Sequence, residues 1–387
     1  MKVLEINKKD LIHNINTVKK ILNSDYKDLP KDIKKCEIIA VVKNNGYGMG
    51  LVEYAQILAD EGIEFFAIST LEEALEMRNA KIKEKILLLS PVVIKSEAKE
   101  LIENNIILTI GSKESAEIAN NIGEENGQKI KVHIKIDTGF GRYGFVYNNP
   151  LEIVEVIQNN KNLEVEGCFS HFSQSYEKKN KWTSIQYDRF LNTIAVLQQN
   201  NVKTGMLHIC NSSAFLRYSY MKLNAVRIGS AFTGRLSIPN IYGLKKIGIL
   251  KSSISEIKIV GKGFNIGYSN TYKIKKNTNI AVVPVGYADG INIIVNNDSF
   301  RIIDHIRYIY NDFKNILKGQ KNNLYVKINT RKYRIIGKIG LCHITVDIKN
   351  DSININDIVY IDVKPIYVPK SIRREYLNEW QEKVEFL

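Results

Sequence analysis

Ile38-Ile-Ala-Val-Val-Lys43-Asn-Asn-Gly-Tyr47-Gly-Met-Gly50 is an apolar run that ends on one lysine and passes at once into a glycine-rich turn. A short continuous apolar run bounded by turn residues reads as a buried strand, and it leaves Lys43 at the strand's exit. Burial there favours the neutral amine, so a lysine in this place can hold a carbonyl cofactor as a Schiff base. The plain alternative is a strand that ends in a solvated lysine and a flexible loop. What surrounds the stretch decides between the two.

Outward from this strand the same unit recurs. Apolar runs fall at 37–43, 64–69, 85–90, 106–110, 130–137, 163–171, 206–210 and 225–228. Amphipathic, helix-like segments lie between them at 51–61, 71–80, 95–104, 113–121, 151–158 and 182–200. About eight strands alternating with helices predict a closed (β/α)8 barrel of the TIM type, with a doubly wound open sheet as the alternative. After about Pro239 the rhythm changes to β-branched runs at 247–253, 255–260, 280–285, 324–328, 334–339, 344–348 and 359–363. Helical spacing survives there only around 299–319 and in the charged end 371–380. The expectation is an α/β fold in two domains, a barrel over 1–240 and a mainly-β domain over 241–387. A chain of 387 residues is longer than one hydrophobic core usually serves, which agrees with two.

Composition narrows the function classes. Hydrophobic residues at 44% and charged residues at 25% are those of an ordinary globular protein. The formal charge of +14 invites a nucleic-acid reading, but the lysines are scattered and no helix-turn-helix, zinc-finger or RNP pattern accompanies them, so no nucleic-acid partner is expected. The opening Met1-Lys-Val-Leu-Glu-Ile6 is broken by charge, and no apolar run approaches a membrane span; the expectation is a cytoplasmic protein with no membrane partner. Cys36, Cys168, Cys210 and Cys342 lie far apart with no ligand spacing, which points to reduced thiols and no metal.

A (β/α)8 barrel keeps its active site at the C-terminal ends of its strands. Functional residue types cluster there. Lys43 and Tyr47 follow the first run, Lys135, Asp137 and Arg142 the fifth, and His171 the sixth. Asn211 and Ser212 follow the seventh, Arg227, Gly229 and Ser230 the eighth. Backbone amides and a hydroxyl in the last two loops fit a phosphate, a role for Ser212, Gly229 and Ser230. Each has a dull counterpart as helix cap, core histidine or solvated arginine. Their joint placement in chain order favours a site.

The lysine stretch closely resembles the pyridoxal-phosphate lysine motif of the bacterial alanine racemases, and the resemblance runs along nearly the whole chain. Lys135-Ile-Asp-Thr-Gly-Phe-Gly-Arg142, Cys168-Phe-Ser-His171-Phe, His208-Ile-Cys-Asn211-Ser212 and Val226-Arg227-Ile-Gly229 are similar to further family motifs. So are Ile266-Gly-Tyr268-Ser-Asn270 and Pro284-Val-Gly-Tyr287-Ala-Asp-Gly290. The resemblance implies pyridoxal 5′-phosphate as cofactor, bound to Lys43, with Tyr47, His171, Asn211, Ser212, Arg227, Gly229, Ser230 and Tyr367 around it. Arg227 would face the pyridine nitrogen, and as a donor only it would keep that nitrogen unprotonated. Lys43 and Tyr268 would be the two catalytic bases, one on each face of the substrate, with Tyr268 supplied by the other subunit of a homodimer and oriented by His171. Arg142, Leu341 and Tyr287 would contact a small amino acid, and Lys135 would be an N6-carboxylysine. The implied activity interconverts L- and D-alanine, serine or another small amino acid, and supplies D-alanine for peptidoglycan.

Departures from the family pattern matter as well. Asn44, Gly46 and Met49 stand where the family usually has Ala, Ala and His, and Phe232-Thr-Gly-Arg235 replaces a usual Met-Tyr-Gly-Leu. Leu341 and Cys342 stand in place of a Met-Asp pair close to the substrate, which bears on the preferred amino acid and on turnover more than on cofactor binding. They keep open a diverged paralogue that binds the cofactor without catalysis. A barrel-type amino-acid decarboxylase is the other alternative, although its Gly-Gly-Gly loop and Glu-Pro-Gly-Arg motif are missing.

Overall fold

A computed structural model describes residues 2–24, 36–177, 181–293, 302–317 and 324–379. The chain divides into two compact units, Lys9–Ile247 and a second made of Met1–Lys8 with Gly248–Leu387.

The first unit is the barrel. Its strands are β1 (Glu37–Val41), β2 (Phe65–Ile68), β3 (Lys85–Pro91), β4 (Ile107–Ile110), β5 (Ile130–Asp137), β6 (Leu163–Phe169), β7 (Met206–His208) and β8 (Ala225–Ile228). All neighbours pair in parallel, β8 with β1 and β4 with β5, so the sheet closes on itself and the open doubly wound alternative falls. Each of the eight apolar runs became a strand. Side chains alternate across a strand, and Ile39, Val41, Phe65, Ala67, Leu87, Ile107 and Ala225 form one buried interior cluster.

The helices are set by local chemistry. Thr70 caps Leu71–Asn79 by accepting from the Glu73 amide, and Ser112 opens Lys113–Glu125 with a reciprocal capping box to Ser115. Asn211 caps Ser212–Arg217 through the Ala214 amide, which fixes the direction of the loop after β7. The helices Lys8–Ser24 and Ser212–Arg217 were not expected from spacing.

The second unit is built on a nine-stranded sheet. Ile249–Ser253, Glu256–Val260, Thr278–Val283, Tyr325–Ile328, Arg331–Ile336, Ile344–Lys349 and Ile358–Ile361 answer the expected β-branched runs. Two strands of this sheet were not expected. Val3–Asn7, which the sequence reading counted with the barrel, pairs antiparallel with Ile249–Ser253 and parallel with Arg373–Leu377. Arg373–Leu377 lies in the charged end read as helical. Pairing with a fully buried strand outweighs the charge spacing, because a strand edge leaves backbone groups to satisfy. The expected amphipathic stretch is the helix Ile302–Leu317, whose Ile302, Ile303, Ile306, Ile309, Tyr310 and Phe313 are exposed. Residues 299–301 and 318–319 of that stretch, and Trp380, lie outside the described residues.

Among the described residues no helix is long and apolar enough to cross a membrane, and no group of His, Cys, Asp or Glu is arranged to hold a metal. Cys36, Cys168 and Cys210 are buried free thiols, and Cys342 is exposed.

Candidate active site

At the end of β1 the chain does not run on as a strand. Asn44, Asn45, Gly46 and Tyr47 all take positive φ (53°, 57°, 62° and 54°), a single left-handed turn. Asparagine and glycine are the residues that tolerate this region best, so Asn44 and Gly46, two departures from the usual family sequence, suit the turn better than alanine. The turn leaves Lys43 half-buried at the strand's mouth. Burial, then the Arg142 guanidinium, lower its pKa from the usual lysine range; Glu73 opposes them and Arg227 adds to them. The neutral amine that a nucleophilic lysine needs is thereby favoured.

The loop after β5 is organised by one carboxylate. Asp137 Oδ1 accepts from the amides of Gly139 and Phe140 at 2.8 Å each, and Oδ2 accepts from Gly141 at 2.9 Å and Arg142 at 3.2 Å. This ring of amides presents Arg142 at the exposed rim, its guanidinium 4.4 Å from the Phe140 ring.

Arg227 lies at the centre of the barrel, 4% exposed. Its Nη1 donates to His208 Nδ1 at 2.6 Å and to the His208 carbonyl at 3.1 Å. Its Nη2 donates to the carbonyls of Ser170 at 2.6 Å and Ile209 at 3.2 Å, and to His171 Nδ1 at 3.2 Å. Burial lowers its pKa only to about 10, so it stays protonated at neutral pH. Since it can only donate, the tautomers of the histidines follow. His208 accepts at Nδ1, so its Nε2 carries the proton and donates to His133 Nδ1, 2.9 Å away. His171 likewise accepts at Nδ1 and keeps Nε2–H as a donor. Burial, then the cationic Arg227, push all three histidines down, His133 to about 3, so the relay is neutral around one fixed cation.

Lys135, 6% exposed, sits 4.4 Å from the Phe169 ring centroid. Burial first, then Arg227 and Arg142, bring its pKa down to about 7, against the pull of Asp137. Phe169 also stacks on His208 at 5.0 Å and forms a shared aromatic floor.

The loops after β7 and β8 make a cradle of amides and hydroxyls. Ser212 Oγ accepts from Gly229 N at 3.1 Å and Ala231 N at 3.3 Å. Asn211 Oδ1 accepts from Ser175 Oγ at 2.9 Å as well as capping the helix. The Tyr47 hydroxyl comes so close to Gly229 that a Cβ there would lie 2.4 Å from it, which is why only glycine fits. Burial raises the Tyr47 pKa to about 12, so the hydroxyl is a donor at neutral pH.

Lys43, Tyr47, Lys135, Arg142, His171, Asn211, Ser212, Arg227, Gly229 and Ser230 therefore line one cavity of about 370 Å³. Tyr268, Tyr287, Leu341 and Tyr367 are on the β unit, where they form a neighbourhood of their own. Tyr287 N donates to the Gly340 carbonyl at 3.1 Å and Ala288 N to that of Leu341 at 2.9 Å. A Cβ on Gly340 would lie 3.7 Å from the Tyr268 ring, and one on Gly290 3.0 Å from the Tyr367 carbonyl. Tyr268 is 71% exposed and Leu341 67%. Glu73, His133 and Phe169 were missed as site residues. Glu73 and His133 lie inside a helix and a strand, where nothing local sets them apart from surface charge and core.

The cavity holds four basic side chains, Lys43, Lys135, Arg142 and Arg227, above an aromatic floor and beside an amide-and-hydroxyl cradle. That defines a parallel (β/α)8-barrel protein with a basic cavity at the C-terminal ends of its strands. Two family descriptions match the chain: "Alanine racemase, N-terminal domain" over residues 6–237 and "Alanine racemase, C-terminal domain" over 248–370. Alanine racemase 2 of Caldanaerobacter subterraneus subsp. tengcongensis is 31% identical over 76% of this chain and 74% of its own length. The alanine racemase of Methanococcus maripaludis is 32% identical over 77% and 78%. The solved alanine racemase of Clostridium difficile 630 superposes with a TM-score of 0.80 at 27% identity, over 98% of this chain and 96% of that one. The chain belongs to the alanine racemase family.

Proposed function

We propose that the protein interconverts L- and D-alanine with pyridoxal 5′-phosphate, an isomerase reaction, as its family membership implies. The observation that carries the reading is Lys43 at the mouth of β1, its amine held towards neutrality, in the same cavity as Arg227 and the Ser212–Gly229 cradle. The residues fit the cofactor: the cavity of about 370 Å³ suits a small ligand, amides and hydroxyls lie beside it for a phosphate, and the guanidinium groups of Arg142 and Arg227 answer its charge. Lys43 would hold it, Tyr47, Asn211, Ser212, Gly229 and Ser230 its phosphate, with Tyr367 from the β unit as a further candidate. When bound, it supplies the electron sink that lets a proton leave the substrate Cα.

The chain's own groups do the rest. Lys43, freed by substrate, takes or gives the Cα proton on one face. Tyr268 does so on the other, since a single base tends to return its proton to the side it left. Arg227, a permanent donor, would face the ring nitrogen of the bound cofactor and leave it unprotonated, which would moderate the sink and limit side reactions. Arg142 grips the substrate carboxylate. The neutral Lys135 amine adds carbon dioxide, releases a proton and becomes a carbamate, an anion that steadies Arg142. Tyr268 reaches the site from a partner copy in a homodimer, its hydroxyl met by the His171 Nε2–H. Tyr287 narrows the substrate entrance.

Leu341 and Cys342, exposed beside Tyr287, leave out a usual Met-Asp pair, so the range of substrates includes serine and other small amino acids. Supply of D-alanine for peptidoglycan in the cytoplasm is the role that follows. The same departure favours the second reading, a protein that binds the cofactor without turnover. Incubation with a panel of L-amino acids in deuterated water, followed by chiral chromatography and mass measurement, tests both. D-enantiomer carrying deuterium at Cα is expected. Absence of D-product and of exchange with every amino acid refutes racemisation, and loss of carbon dioxide would mark a decarboxylase instead.

A further inference from the structure

Five successive residues beside Lys43, Asn44 to Gly48, take positive φ, and one of them is Tyr47, which gains none of the tolerance of glycine or asparagine. Such backbone persists only where its surroundings over-determine it. Successive backbone N–H groups in a turn also gather into a small hollow that attracts an anion. Here the anion is a side chain from the next β/α unit. Glu73 Oε1 accepts from the amides of Asn44 and, at 3.4 Å, Asn45, while Oε2 accepts from Ser69 N at 2.9 Å. Glu73 is 6% exposed and is itself held in place, because Thr70 Oγ1 accepts from its backbone amide at 3.3 Å.

We propose that Glu73 is a positioning residue, whose carboxylate clamps the left-handed turn after β1 and so holds Lys43 at the cavity mouth. It works as Asp137 does for the loop of Arg142: Lys43 and Arg142 each stand on a turn tied by one carboxylate to backbone amides. The clamp also has an electrostatic side. Its charge opposes burial and Arg142 in setting how readily Lys43 gives up its proton. The importance of Lys43 rests on the function proposed above; the clamp itself does not.

The test uses the full-length protein with Glu73→Gln and Glu73→Asp. Glutamine is nearly isosteric, but it removes the charge and turns a carboxamide NH2 donor towards a backbone N–H donor. Aspartate keeps the charge with a shorter reach. Amide hydrogen exchange of the 43–50 segment should quicken about tenfold or more in Glu73→Gln, the loss of one charge-assisted hydrogen bond, with exchange in the other barrel strands unchanged. Aspartate should fall between. Borohydride trapping of pyridoxal phosphate on Lys43 should then reach its half-maximum at a lower pH in Glu73→Gln, because without the anion the amine is neutral to lower pH. Exchange at 43–50 equal to wild type refutes the clamp. So does quickening spread evenly over the barrel, in either variant, which would mark a general structural role. If wild type neither traps the cofactor nor racemises alanine, the functional reading falls while the exchange result still decides the clamp.

Discussion

Ser212→Ala separates a phosphate ligand from a helix residue. Ser212 Oγ accepts from two amides, Gly229 N at 3.1 Å and Ala231 N at 3.3 Å, and is buried, so alanine leaves two donors unpaired, the first of them on the cavity wall. A buried donor left without a partner costs about 1–3 kcal/mol. Gly229 lines a cavity of about 370 Å³, where water can replace the hydroxyl at its amide, so the cofactor-free protein should lose about 1–2 kcal/mol in all. With cofactor, the variant lacks one hydroxyl contact to a charged phosphate, about 1.5–3 kcal/mol, which weakens binding by about 10- to 150-fold. Urea unfolding of the cofactor-free protein reads the first quantity, and equilibrium dialysis of pyridoxal phosphate the second. At saturating cofactor the kcat should change little, since nothing in Ser212 touches the reacting atoms. A cofactor Kd within threefold of wild type, with the stability loss present, would show that Ser212 only ties β7 to β8 and would refute the phosphate assignment.

Lys43→Ala should abolish borohydride-stable attachment of the cofactor, and Tyr268→Phe should keep it while racemisation falls by about 10²–10⁴-fold. Co-refolding the two should restore part of the activity, and verified heterodimers without rescue would rule out a shared site. Lys135→Met tests the buried amine. Its folded pKa of about 7 lies below the ordinary lysine value of about 10.4, so between these the unfolded chain binds more protons and wild-type stability rises with pH. The variant should therefore be more stable than cofactor-free wild type at pH 6, with the gap closing towards pH 10 in urea titrations; a gap independent of pH would refute the assignment. Labelled bicarbonate should give wild type, and not the variant, a carbamate carbon signal by NMR. Arg227→Lys cannot serve both the His208 and the Ser170–Ile209 sides, and loss of two charge-assisted bonds should cost about 3 kcal/mol or more in the cofactor-free protein. A change below about 1 kcal/mol in urea unfolding would show that water replaces the guanidinium.

The barrel was legible in the sequence because its signals are local: each parallel strand reads as an apolar run, and each functional side chain lies at the end of such a run or follows it by a few residues. Lys43, Arg142, His171, Ser212 and Arg227 were found that way, and all line one cavity. Tertiary structure decided what depends on partners far along the chain. Val3–Asn7 belongs to the β unit because Ile249–Ser253 and Arg373–Leu377 offer it edges on both sides, and the charged end becomes a strand for the same reason. Glu73, 29 residues beyond Asn44, looks in sequence like any acidic residue in a first helical turn. The parallel pairing of β1 with β2 brings its carboxylate to the amides of the lysine turn. The tautomers of His133, His208 and His171 are likewise set by one guanidinium reaching across neighbouring strands. A periodic pattern specifies which side of a strand is buried, but the partner that meets a polar group there is chosen by closure of the sheet, and no local stretch of residues carries that information.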